Sequence, residues 1–112
     1  MNTYQEQQYH YTYLIINDDP IQSEKFYIGC HSSKVEPRLD TKYMGSSYHL
    51  IYDIKRQGNE HFTKEILGEW NSREEAMLHE SRLHRDFNVD SDPEYYNRIK
   101  SRKGFTVNSV TK

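Results

Sequence analysis

Apolar positions along the chain gather into short groups separated by polar stretches, and the spacing inside each group predicts what it forms. YHYTYLIIN (9–17) is dense in aromatic and β-branched residues and predicts a strand. Asn17, Asp18, Asp19 and Pro20 mark a turn, and the polar loop continues through Ser23 and Glu24. KFYIG (25–29) predicts a second strand, paired antiparallel with the first. There the apolar pattern stops: Cys30, His31 and two serines open a polar stretch, and 31–44, interrupted by Pro37, reads as an ordered loop. In YHLIYDIKRQG (48–58), Leu50, Ile51 and Ile54 keep a helical spacing and Gly58 supplies the stop. HFTKEILGEW (61–70) alternates in part and predicts a third strand. Ser72 with Glu75 is a capping-box pattern that starts a second helix near Arg73, running to about Phe87. Pro93 blocks continuation, and EYYNRIK (94–100) predicts one further helical turn. The order strand, strand, helix, strand, helix predicts an α+β fold, a small three-stranded antiparallel sheet flanked by helices. One domain is expected over 9–100, with a loose segment 1–8 before it and a basic tail 101–112 after it.

Composition narrows this frame. The 112 residues suffice for one core and not for two ordinary domains. The ten tyrosines suggest a core built partly from amphipathic rings, each keeping its hydroxyl near water or a polar partner. One cysteine, Cys30, excludes an internal disulfide and a cysteine-cluster zinc site. No apolar run reaches membrane-spanning length and no signal-peptide core opens the chain, which predicts a soluble protein of a reducing, intracellular compartment. The net charge of −2 makes no overall case for nucleic acid. Its distribution is more informative, because Arg98, Lys100, Arg102, Lys103 and Lys112 follow one another with no acid among them. Such an end can meet phosphate, although a solvated tail is the commoner explanation.

The second helix carries one carboxylate in an unexpected place. At about 100° per residue, Ala76, Leu83 and Phe87 share the predicted core stripe, and Glu80 falls at its edge. An ionised carboxylate turned to a core needs a partner. Two explanations stand: an ion pair or tyrosine hydrogen bond, or a ligand for magnesium or a similar ion at the floor of a cleft. HESRLH (79–84) resembles a zinc-protease pattern but has one residue too many. His79 and His84 are then about 140° apart on a helix and cannot share a metal.

Together, YTY followed by KFYIG, a glutamate on the late helix and YYN near the end resemble the GIY-YIG nuclease domain. Tyr11-Thr12-Tyr13 stands where Gly-Ile-Tyr is usual, keeping the tyrosine as Tyr13, and Tyr27-Ile28-Gly29 is intact. DTKYMGSS and HFTKEIL are similar to the small phage-type members, including free-standing relatives of homing endonucleases. The resemblance spans about Tyr9 to Asn97 and implies divalent-metal-dependent hydrolysis of DNA. By position it assigns Tyr13 and Tyr27 to the two family tyrosines, Glu80 to the metal (Mg2+ or Mn2+) and Asn97 to the late asparagine. Either tyrosine then orients or deprotonates water, and Asn97 holds the site together or contacts phosphate. The family also places an arginine after YIG, often where this chain has His31. A protonated His31, Arg38 or Lys42 is expected to supply that charge.

The leading expectation is thus a metal-dependent DNA endonuclease. A nuclease-like nucleic-acid-binding protein without catalysis is the alternative, motivated by the altered first motif and the absent arginine. A third reading is an interaction module using a tyrosine-rich surface. Arg98, Lys100, Arg102 and Lys103 are expected to grip DNA backbone without reading sequence, so that either specificity is loose or a partner protein or second subunit supplies it.

Overall fold

Strand β1 (Tyr9–Asn17) occupies the centre of the sheet, between β2 (Lys25–Ser33) and β3 (Phe62–Trp70), both antiparallel to it. Helix α1 (Tyr48–Gln57) precedes β3 and α2 (Arg73–Asp86) follows it. Single 3-10 turns lie at Pro37–Leu39, Asn59–His61 and Tyr96–Arg98. This architecture comes from a computed structural model that describes residues 8–98, the Arg98 side chain excepted. It is the expected α+β arrangement. The expected loose segment (apart from Gln8), the basic tail, and Lys100, Arg102 and Lys103 lie outside the described residues.

Successive side chains of a strand project to opposite faces, and antiparallel partners share a face. One face of β1 therefore carries Tyr11, Tyr13 and Ile15, all buried, which pack with Leu50 of α1 and with Phe62 and Tyr96. The other face carries Thr12 and receives α2, whose Ala76 is buried. Both helix starts are capped as their sequences require: Ser47 accepts from the Leu50 N–H, and Ser72 accepts from the Glu75 N–H. The Glu75 side chain reaches back to the Asn71 N–H.

Two expectations need correction. Strand β2 does not end at Gly29 but runs to Ser33, with Cys30 opposite Thr12, His31 opposite Tyr11 and Ser33 opposite Tyr9. A ladder pairs backbone groups, so polar side chains do not stop it while the partner strand continues. The side chains agree with the longer register, since His10 and Ser32 are 2.8 Å apart in hydrogen bond. Phe87, expected in the core, is 54% exposed. The helix stops one residue before it, and Asn88 takes a left-handed conformation (φ 53). Asn88 N–H then bonds Arg85 C=O, and Val89 N–H bonds His84 C=O. This is a Schellman ending, and it delivers Val89 rather than Phe87 to the interior.

The outer edge of β2 is closed by the last turn. Phe26 N–H bonds the Glu94 carbonyl, and the Asn97 amide grips Ile28 twice, accepting from its N–H (3.0 Å) and donating to its C=O (2.8 Å). Asn97 thus acts as one rung of a missing strand on an edge that would otherwise stay open. Asn97→Ala should lower stability by about 1–3 kcal/mol, read as a drop in the melting midpoint. A midpoint unchanged from the native chain would show that water replaces the amide at no cost.

Candidate active site

The tyrosines of the two strand motifs meet on the α1 face of the sheet. The Tyr13 and Tyr27 rings lie 6.1 Å apart, and Tyr43 stands edge-on to Tyr13 at 5.8 Å. Gly29 sits beneath them, with no side chain to hold the rings apart from the strand. Gly45, at φ +97, brings the loop before α1 against the same two tyrosines. Burial drives the Tyr13 phenol far above its ordinary range, reinforced by Tyr27 and Tyr43. Burial also raises Tyr27, but hydrogen bonds with Ser46 and Tyr13 oppose the shift. Both phenols are neutral at physiological pH, and Tyr27 is the less constrained of the two.

Beside this pair is a second polar cluster. Tyr11 donates to Asp40 Oδ2 (2.7 Å), and Lys64 Nζ, from β3, donates to Tyr11 Oη and to the carbonyls of Asp40 and Tyr43. The same ammonium stands over the rings of Tyr11, Tyr13 and Tyr43 at 5.1, 5.7 and 5.6 Å. An ammonium has three donors, so Lys64 has none left for a phosphate. Burial lowers its pKa, with Asp40 opposing. Sequence reasoning passed over Lys64, whose signal was a lysine on the inward-facing phase of β3.

His31 joins this cluster, stacked on Tyr43 at 3.5 Å between ring centroids, with Nε2 3.8 Å from Asp40. Burial lowers its pKa, Asp40 opposes, and Lys64 and Arg73 add to the lowering. It is therefore mainly neutral near pH 7 in the free chain. His79, bonded to Thr12 Oγ1 and packed on Trp70, is lowered by burial and by Arg82. A histidine whose folded pKa lies below its unfolded value of about 6.5 supports the fold above that pH, and loses the contribution as pH falls through the folded pKa. The urea midpoint should therefore drop between neutral and mildly acid pH, and His31→Phe, which keeps a ring against Tyr43, should flatten the drop. A variant with the native pH profile would exclude His31 as a source.

Glu80 reaches the site from the opposite face, at the β2 edge. Its Oε1 accepts from Cys30 Sγ at 3.4 Å, and its Oε2 is 3.7 Å from His84 Nε2, one turn along α2. Burial, then the charge and hydrogen bond of Glu80, push the Cys30 thiol up to about 11. The carboxylate's charge is also felt at Tyr27. His84 Nε2 donates to the Ile28 carbonyl at 2.9 Å, beside Asn97. His84 therefore belongs to the shell around Glu80, and its signal was the i, i+4 spacing. The expected core-turned carboxylate is thus half-buried against a thiol and an imidazole.

The other expected residues are more distant. Arg38 is largely exposed and pairs with Glu36 at 3.3 Å. Lys42 lies at the rim of a cleft beside α1. Arg73, in the first turn of α2, is a positive charge that sequence reasoning missed, felt at both Cys30 and His31. It lies seven residues before Glu80, on the same helix face.

Among the described residues, no group of three or more histidine, cysteine or acidic side chains is arranged to hold a metal. One carboxylate is nevertheless what hydrated magnesium takes, since that ion keeps most of its waters and borrows oxygens from substrate phosphate. The donor set at Glu80 fits such an ion and does not fit a protein-caged zinc. No helix among the described residues is long and apolar enough to cross a membrane.

Residues 2–99 match a protein-family model, SegE_GIY-YIG, described as "Putative endonuclease segE, GIY-YIG domain". No curated protein and no solved structure gives a significant match.

Proposed function

We infer, since this chain belongs to the GIY-YIG endonuclease family, that it is a divalent-cation-dependent endonuclease hydrolysing DNA phosphodiester bonds. The observation that carries this reading is the approach of Glu80 to the YIG strand. The one α2 carboxylate turned to the sheet ends against Cys30, directly after Tyr27-Ile28-Gly29, with its charge reaching Tyr27.

A magnesium or manganese ion on Glu80 would neutralise charge on the phosphate and stabilise the leaving oxygen. The chain's own residues do the remainder. Tyr13, buried and strongly disposed to keep its proton, serves as a fixed donor and as a wall for Tyr27. Tyr27, less buried and hydrogen-bonded to Ser46, is the hydroxyl that orients the attacking water. Lys64 and Asp40 lock Tyr11 and Tyr43 behind this pair. Asn97 and His84 hold the Ile28 backbone and with it the pitch of the YIG strand. Among the described residues, Arg73, on the Glu80 face of α2 with its charge felt at Cys30, would face a phosphate near Glu80, in the role the family gives to an arginine after YIG.

The test is nicking of supercoiled plasmid in magnesium or manganese, with chelator as the control. Nicking should appear with either metal and vanish with chelator. A folded chain that never nicks, over a range of pH and with both metals, would leave the binding-protein alternative.

A further inference from the structure

We propose that the cleft beside α1 is a binding site for unpaired nucleotides, so that the substrate presents a locally single-stranded segment. This rests on the nuclease reading and names its substrate class. The cleft holds about 580 Å3, is floored by Met44, Ile51, Ile54 and Phe62, and has Lys42 and Lys55 in its walls. No carboxylate lines it. Neither lysine makes a hydrogen bond or ion pair among the described residues, and both are exposed. Its inner end is formed by Tyr43 and Gly45, which touch the Tyr13–Tyr27 pair, so a strand lying in it leads toward the site.

The outer face of α1 continues this surface. On a helix, Tyr48, Ile51, Tyr52 and Lys55 occupy one side, adjoining the cleft. Tyr48 and Tyr52 are 82% and 63% exposed, and the Arg56 guanidinium lies 5.7 Å from the Tyr52 ring centroid. Two exposed aromatic rings, an apolar trough and two unpaired ammonium groups fit a stack of bases with its phosphates. The bases of paired DNA are already stacked on one another and offer the rings no free face. Single strands are held by this combination: aromatic side chains for the bases and cations for the backbone. Charge complementarity with a polyanion, and the absence of any lining acid, favour this occupant over an apolar protein partner.

The experiment is fluorescence anisotropy of labelled oligothymidylate and of a blunt duplex of equal length, in chelator so that nothing is cut. The native chain should prefer the single strand. Tyr48→Ala/Tyr52→Ala should weaken oligothymidylate binding by about ten-fold or more and leave the duplex affinity unchanged. Lys42→Ala/Lys55→Ala should weaken both and flatten the salt dependence by roughly one to two phosphates' worth. All four side chains are exposed, and circular dichroism should show every variant folded. A preference for duplex, or tyrosine variants that bind oligothymidylate like the native chain, would overturn the proposal while leaving plasmid nicking as evidence for the nuclease. Single-strand binding that obeys the variants in a chain that never nicks would support the surface and refute the enzyme. A native dimer that Tyr48→Ala/Tyr52→Ala turns monomeric in sedimentation would instead assign the patch to self-association.

Discussion

Replacing Glu80 by glutamine should reduce plasmid nicking by about a thousandfold or more, while the thermal melt stays close to that of the native chain. The magnitude follows from the assigned role: charge stabilisation by a bound cation is worth several kcal/mol, and each ~1.4 kcal/mol is a factor of ten in rate. Glutamine keeps the shape of the side chain and an oxygen that can still accept from the Cys30 thiol. It removes the charge that holds a hard cation. Glu80 is half-buried, so loss of its charge leaves no uncompensated ion in the core. The purely structural reading of this residue, an acid kept for its pairing with His84 and Cys30, predicts the reverse pattern of lower stability and intact nicking. A second readout separates the cases without activity. Cys30 is held in its protonated form partly by Glu80, so Glu80→Gln should speed its alkylation near pH 8.

The sequence made the scaffold legible and the wiring of the site much less so. β1, β3 and both helix starts follow from local signals, namely β-branched and aromatic runs and the Ser72–Glu75 box, which decide structure within a few residues. The length of β2 does not, because His31, Ser32 and Ser33 become strand only through pairing with a neighbour about twenty residues earlier in the chain. Phe87 misled for a related reason: periodicity assumes that the helix continues, and a left-handed Asn88 ended it. Glu80 could be singled out because a carboxylate on an apolar stripe is costly, but whether it meets a thiol, an imidazole or a metal is a tertiary fact. Lys64 is the clearest omission. A lysine in a strand reads as an exposed charge, and its three acceptors come from Tyr11 and from the backbone of a loop the sequence describes only as polar.

A large effect on fold and activity together is expected from the smallest change, Gly29→Ala. A Cβ at Gly29 would lie 2.6 Å from Tyr13 Oη, 2.8 Å from Tyr13 Cζ and 3.0 Å from Tyr27 Cε2. Neither ring has an easy way to yield. Tyr13 is almost completely buried, with Tyr11, Tyr27 and Tyr43 packed around it, and Lys64 stands over its face. Tyr27 is confined by Gly45, where the loop before α1 passes close to its ring. Overpacking of this kind costs about 1–3 kcal/mol, which in a domain of this size lowers Tm by roughly 5–20 °C. The chemistry should suffer more than the fold, because an ångström of misplacement in a positioned group can cost about a hundredfold in rate. Nicking by Gly29→Ala should therefore fall by about that factor at a temperature where the variant is still folded. Tyr13→Phe in the same chain removes the shortest contact, so the double variant should recover part of the lost Tm without recovering nicking. If Gly29→Ala melts and nicks like the native chain, the rings have room that these distances deny, and the close packing of Tyr13 and Tyr27 is not what the glycine is for.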